Sequence, residues 1–141
     1  MDGVKAPKFA LDGIRGHQMM TQEIVDALPK LGSQDGKGLD ALVHAKWFHV
    51  NNWTWLATEG EFQGAEEDGD PGRWLIFGLV VGHEVEWGYW DLEELATVEA
   101  GFGNLPVERD CWFEPAPLRD VINESHDPRL QGWAARQGTR P

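Results

Sequence analysis

In 45–62 and again in 84–90 the apolar residues recur with a period of two, and that alternation commits these stretches to β-sheet. Successive side chains of a strand point to opposite faces, so each run states which residues share a side. AKWFHV (45–50) and NWTWLATEGEF (52–62) read as two strands joined at Asn51-Asn52, a pair that tolerates positive φ and suits a tight hairpin. In the second strand Trp53, Trp55 and Ala57 share one face, while Thr54, Leu56 and Thr58 share the other. RWLIFGLVVGH (73–83) is apolar on both faces, which marks a central strand. In EVEWGYW (84–90), Val85, Trp87 and Tyr89 alternate with Glu84 and Glu86, giving a half-buried strand with a wet acidic face.

Helices flank this core. TQEIVDALPKL is predicted as a short helix with Thr21 as its cap, Glu23 at the positive end and Pro29 as its stop; Ile24, Leu28 and Leu31 form the buried stripe. A second short helix starts at Asp91, an N-cap with Glu94 three residues on in capping-box position and a Trp90/Leu95 staple across the cap. DCWFEP (110–115) reads as a last strand or extended segment, ended by Pro115 and Pro117. The expected fold is α+β: a small antiparallel sheet of about five strands, a short N-terminal helix, and a second capped helix after the fourth strand. Residues 1–20 read as an arm, 21–121 as a single domain and 122–141 as a polar, poorly packed tail.

Eight tryptophans are many for 141 residues, and burying an indole removes a large apolar area from water. Trp47, Trp53, Trp55, Trp87 and Tyr89 are therefore assigned to the core. A domain of this size hides only so many indoles, so one or two of Trp74, Trp90, Trp112 and Trp133 should be exposed. The formal charge of -12 is concentrated: residues 59–110 hold 14 acids against Arg73 and Arg109, and the rest of the chain balances 10 acids with 10 bases. Direct nucleic-acid binding is disfavoured, because phosphate contacts need Lys and Arg. The single Cys111 forms no internal disulfide, MDGVKAPKF lacks the apolar run of a signal peptide, and no segment reaches membrane-spanning length. A soluble, cytoplasmic protein is expected.

The binding candidates are Glu59, Glu61, Glu66, Glu67, Glu84, Glu86, Trp90 and Arg109, the acidic segment with its aromatic and basic edges. Arg109, between Glu108 and Asp110, also reads as a structural ion pair holding the loop to the sheet. No metal and no cofactor is expected: His17, His44, His49, His83 and His126 are scattered, although His49 and His83 both flank turns and could approach each other near Glu84. Neither a phosphate-cradling loop nor a GxSxG nucleophile elbow occurs, and no base lies near Cys111 in sequence, so no catalytic set is named.

The runs LPKLGSQDG, AKWFHVNNWTWLATE, FGLVVGHEVEWGYWDLEEL and LPVERDCWFEPAPL resemble the bacterial family of unknown function numbered 2958, over residues 21 to 121. The family usually has Phe-Ser where this chain has Trp90-Asp91; Asp caps a helix as Ser does. The resemblance implies a mobile genetic element setting, near antirestriction and conjugation genes, and supplies no mechanism. The chain supports two functional readings. One is a non-enzymatic acidic module that binds a host or element-encoded protein with a basic surface, in its sharpest form as a DNA mimic. The other is a small metal-dependent hydrolase in which Glu59, Glu84, Glu86 and Asp110 converge. A single-strand nucleic-acid platform of stacked tryptophans is weaker, for want of positive charge.

Overall fold

The computed structural model describes residues 4–64, 72–100 and 104–138. In chain order the elements are α1 (Asp12–Arg15), α2 (Gln22–Ala27), a single 3-10 turn (Gly38–Asp40), β1 (Leu42–Val43), β2 (Ala45–Phe48), β3 (Thr54–Gln63), β4 (Arg73–Val81), β5 (Val85–Asp91), α3 (Leu92–Thr97), β6 (Glu99–Ala100), β7 (Leu105–Pro106), β8 (Glu108–Arg109), β9 (Ala116–Pro117), α4 (Leu118–Glu124) and α5 (Pro128–Gly138). Five strands form one antiparallel sheet in the order β5-β4-β3-β2-β8, and two small ribbons, β1-β9 and β6-β7, flank it. The α+β class, the antiparallel sheet and the helix after the strand at 85–91 all match the sequence reading.

The local signals work as chemistry requires. Thr21 Oγ1 accepts from Ile24 N at the start of α2, and Asp91 Oδ1 accepts from Glu93 N at 2.8 Å and Glu94 N at 3.4 Å at the start of α3. No return bond from Glu94 occurs among the described residues; Asp91 is also the last residue of β5, opposite Leu75. The β2–β3 hairpin turns through Asn52 at φ 70, with Asn52 N bonded to the His49 carbonyl.

Both faces of the sheet are covered. One face packs Trp47, Trp55, Trp74 and Ile76 under α2, α3 and the N-terminal segment; the other packs Leu56, Leu79 and Val81 under α4 and α5. The N-terminal segment is not a loose arm: Met19 and Met20 are fully buried. The Arg15 side chain is buried too and donates to the Val107 and Ala96 carbonyls while pairing with Asp12 at 2.9 Å. Nor is the C-terminal segment poorly packed. Asp127 caps α5 through Arg129 N at 2.9 Å, Pro128 opens the helix, and Leu130 and Trp133 are buried against the sheet.

A bulge decides the sheet's second half. Ala57 opposes Gly78, but the register then slips so that Glu59 opposes Phe77 and Gly60 opposes Ile76. Glu59 thereby leaves the face of Trp53, Trp55 and Ala57 for the face of Phe77 and Trp87. Gly78 is required here, since a Cβ would lie 1.9 Å from the Leu56 carbonyl oxygen.

Candidate interaction groove

A groove of about 680 Å³ opens on the α4–α5 face. Thr54 and Leu56 of β3 form its floor with Val121 and Leu130; the segment Asp110–Ala116 makes one wall, and Glu124–Asp127 the other. The first wall is built by Asp110, whose Oδ1 accepts from Trp112 N at 3.0 Å while its carbonyl accepts from Phe113 N at 3.3 Å. That Asx turn sends Phe113 toward the second core cluster and leaves Trp112 outside, 94% exposed. The second wall is the α4–α5 junction, where Ser125 Oγ accepts from Asp127 N at 3.0 Å.

Electrostatics inside the groove are uneven. Asp110 faces Lys46 at 3.6 Å, and Asp127 is matched by Arg129 at 2.7 Å. The Arg129 hydrogen bond holds the Asp127 carboxyl below its ordinary value, and the same contact raises Arg129. Glu114 and Glu124 are exposed and have no ion pair among the described residues. The groove thus offers two free carboxylates and a bare indole, with one lysine already engaged.

The expected site residues are dispersed. Glu59 is not part of an acidic surface: it is 2% exposed, and its carboxylate accepts from Gly32 N at 2.6 Å and Gln34 N at 2.8 Å. Gln34 in turn bonds the Leu42 and Thr58 carbonyls and Leu42 N. A second cleft of about 360 Å³ lies over this knot, between Gln34, Asp35, Glu59, Phe77 and Trp87, and the Gln34 and Glu59 side chains in it are already engaged. Glu61 is half-buried on the outer half of β3, and Glu84 and Glu86 are exposed at the β5 end of the sheet, far from Asp110 beside β2. Glu66 and Glu67 lie outside the described residues. Arg109 makes no ion pair with its neighbours; it donates to the Gln18 carbonyl at 2.8 Å, while Glu108 faces His17 at 3.7 Å.

The aromatics divide differently from expectation. Trp47 and Trp55 are core, and Trp53 is half-buried beside Trp55. Trp87 packs on the opposite face, stacked on Phe77 at 5.7 Å. Tyr89 is 64% exposed, because β5 is an edge strand and α5 covers it only as far as the Trp87–Trp133 contact. Trp90 is half-buried and meets Trp47 edge-on at 6.3 Å, so it is a packing residue and not a free surface group. His49 Nε2 bonds the Leu105 carbonyl, and His83 stands edge-on to Trp53. Among the described residues no group of three His, Cys, Asp or Glu is placed to hold a metal ion.

Sequence reading misses the groove because its walls come from segments 110–116 and 124–127, brought together only when α4 and α5 fold back over β3. Two local signals are present: Asp110-x-Trp112, an Asx-turn spacing, and Ser125-x-Asp127-Pro128, a helix start.

The fold and groove together define a small α+β domain with a doubly covered antiparallel sheet and an open, acid-rimmed groove. The chain belongs to the family described as protein of unknown function (DUF2958), whose sequence model matches residues 19–126. No curated protein and no solved structure matches the chain. No helix among the described residues is long and apolar enough to cross a membrane.

Proposed function

We propose that this protein is a non-enzymatic interaction module that docks a basic segment of a partner protein in the groove beside Trp112. The observation that carries the reading is Trp112 itself, 94% exposed at the rim of a groove that also presents Glu114 and Glu124 unpaired. An indole held in water by a built turn is the usual form of an interface anchor, and free carboxylates around it favour Lys or Arg at the edges of the occupant. The genomic setting implied by the family resemblance makes the partner a host or element-encoded protein and the role antirestriction or anti-defence. A phosphate-spaced DNA mimic has less support, because the carboxylates are split: Glu114, Glu124 and Asp127 rim the α4–α5 face, whereas Glu93 and Glu94 lie on α3 over the other. The hydrolase alternative has no support from a converging set, since Glu59 is buried in its own knot and Asp110 is engaged by Lys46.

The test is titration of the protein with arrays of basic, neutral and acidic peptides. Basic peptides should bind, and Trp112→Ala should weaken that binding by about tenfold or more. Glu114→Gln with Glu124→Gln should reduce its salt dependence. Equal binding of acidic peptides, or binding unchanged by Trp112→Ala, would remove the proposal.

A further inference from the structure

The outer side of β5 is the longest unpaired edge of the sheet. β5 ends the order β5-β4-β3-β2-β8 and runs for seven residues, whereas the strand at the other end, β8, has two. Soluble proteins blunt such an edge with Pro, Lys, a bulge or a covering element, because its free N–H and C=O groups template pairing with another chain. VEWGYWD contains neither Pro nor Lys, its charges are the two carboxylates Glu86 and Asp91, and its register with β4 is unbroken from Val85 to Asp91. Beyond the ladder to β4, no backbone hydrogen bond of this strand is made among the described residues.

We propose that β5 pairs with β5 of a second copy of the chain, antiparallel about a two-fold axis through Gly88, joining two five-stranded sheets into one. A two-fold axis normal to a sheet keeps every side chain on its own face, so opposed residues must have the same parity. Centring on Gly88 is the choice that uses all seven residues. It sets Trp87 opposite Tyr89 twice, Glu86 opposite Trp90 and Val85 opposite Asp91, so no carboxylate meets a carboxylate. Centring on Glu86 would oppose two glutamates, and centring on Trp87 or Tyr89 shortens the ladder. Tyr89 meets the Phe77 ring at 4.8 Å and is 64% exposed; pairing gives it an indole as cross-strand neighbour. At the axis itself a Cβ on Gly88 would meet nothing within 4 Å, so the strand centre is open to close approach.

This edge is separate from the groove, which lies across β4 over β2 and β3, and its test is independent of the peptide titration. Light scattering on the eluting full chain should give a mass rising with concentration from 15.8 kDa toward twice that value. Gly88→Lys sets two ammonium groups against each other at the axis and should leave a folded monomer at every concentration, with circular dichroism as the check on folding. Gly88→Cys in a Cys111→Ser background should form a disulfide-linked dimer on mild oxidation, because Cα atoms opposed in an antiparallel ladder lie at about 4.5–5.5 Å, within disulfide range. The cysteine variant decides the question if the lysine variant fails to fold. A monomeric mass at all concentrations without cross-linking, or a dimer that folded Gly88→Lys leaves intact, would overturn the proposal.

Discussion

The carboxylate of Glu59 accepts the backbone N–H of Gln34 at 2.8 Å, and so ties the middle of the sheet to a loop 25 residues earlier. With Gly32 N on its other oxygen, the side chain supplies two acceptors to a turn that has no helix or strand to satisfy it. Glu59→Gln keeps the size but turns an amide donor toward one of these N–H groups. The expected cost is about 2–3 kcal/mol, the range for losing a charge-assisted bond and stranding a buried donor. Chemical denaturation measures it; a loss below the scatter of the method would show that the knot is dispensable. Peptide binding at the groove should be unaffected.

Two tryptophans on one small domain should behave in opposite ways. Trp55 is 9% exposed inside the first core cluster, so Trp55→Ala should cost about 3–5 kcal/mol and leave much of the protein unfolded. Trp112→Ala, at a side chain in water, should shift stability by no more than about 0.5 kcal/mol. Thermal melts of the two variants side by side check the contrast; a destabilised Trp112→Ala would mean that the indole holds the 110–116 segment in place.

Arg129 links three parts of the chain. Its guanidinium donates to the Gly82 carbonyl at 2.8 Å and the Asn52 carbonyl at 2.7 Å while pairing with Asp127, so the start of α5 is fastened to both hairpin turns at that end of the sheet. A lysine carries its three N–H donors on one nitrogen and cannot reach acceptors that Nε, Nη1 and Nη2 serve from separate positions. Arg129→Lys should cost about 1–2 kcal/mol, one to two hydrogen bonds' worth. There is an acid signature as well. Asp127 is held below its ordinary 3.8, chiefly by the Arg129 hydrogen bond. Its contribution is therefore present above that pH and disappears as pH falls through the lower folded value. Arg129→Met should remove that part of the acid dependence, which stability curves at successive low pH values would reveal.

His44 supplies a dependence nearer neutrality. Burial lowers its pKa from the ordinary 6.5, so in the window below 6.5 the unfolded chain takes up a proton that the folded chain refuses. Stability should fall as pH drops from 6.5 through the folded value, with a slope of at most about 1.4 kcal/mol per pH unit. His44→Asn should flatten the curve in that window; an unchanged slope would place the titration elsewhere.

Much of the architecture is legible in short stretches of the chain. The period of two in 45–62 and 84–90, the Asn51-Asn52 turn and the Thr21 and Asp91 caps are each specified by a few neighbouring residues, and each is where local chemistry puts it. The family resemblance is legible for the same reason, as strings of adjacent residues, and the match extends slightly beyond it at both ends. The helix α5 is harder to see. Its buried stripe is little more than Leu130 and Trp133, three apart in a polar run, and such a stripe is too thin to stand out in a sequence.

By itself, then, the sequence determined the strands, the caps, the class of fold and the placement of the acidic excess, because these depend on spacing and composition along the chain. Only the tertiary structure decided which side each residue serves. The slip after Ala57 moved Glu59 from the face of Trp53, Trp55 and Ala57 to the face of Phe77 and Trp87, where Gly32 N and Gln34 N hold it in a buried knot, since inserting one residue into a period-two ladder exchanges faces for every later residue of the strand. The order of strands put β5 at an edge, and so left Tyr89 in water although its alternation matches that of Trp87. The folding back of α4 and α5 over β3 assembled the groove and left Trp112 exposed at its rim. Each of these outcomes is set by contacts between segments tens of residues apart, which no local window contains.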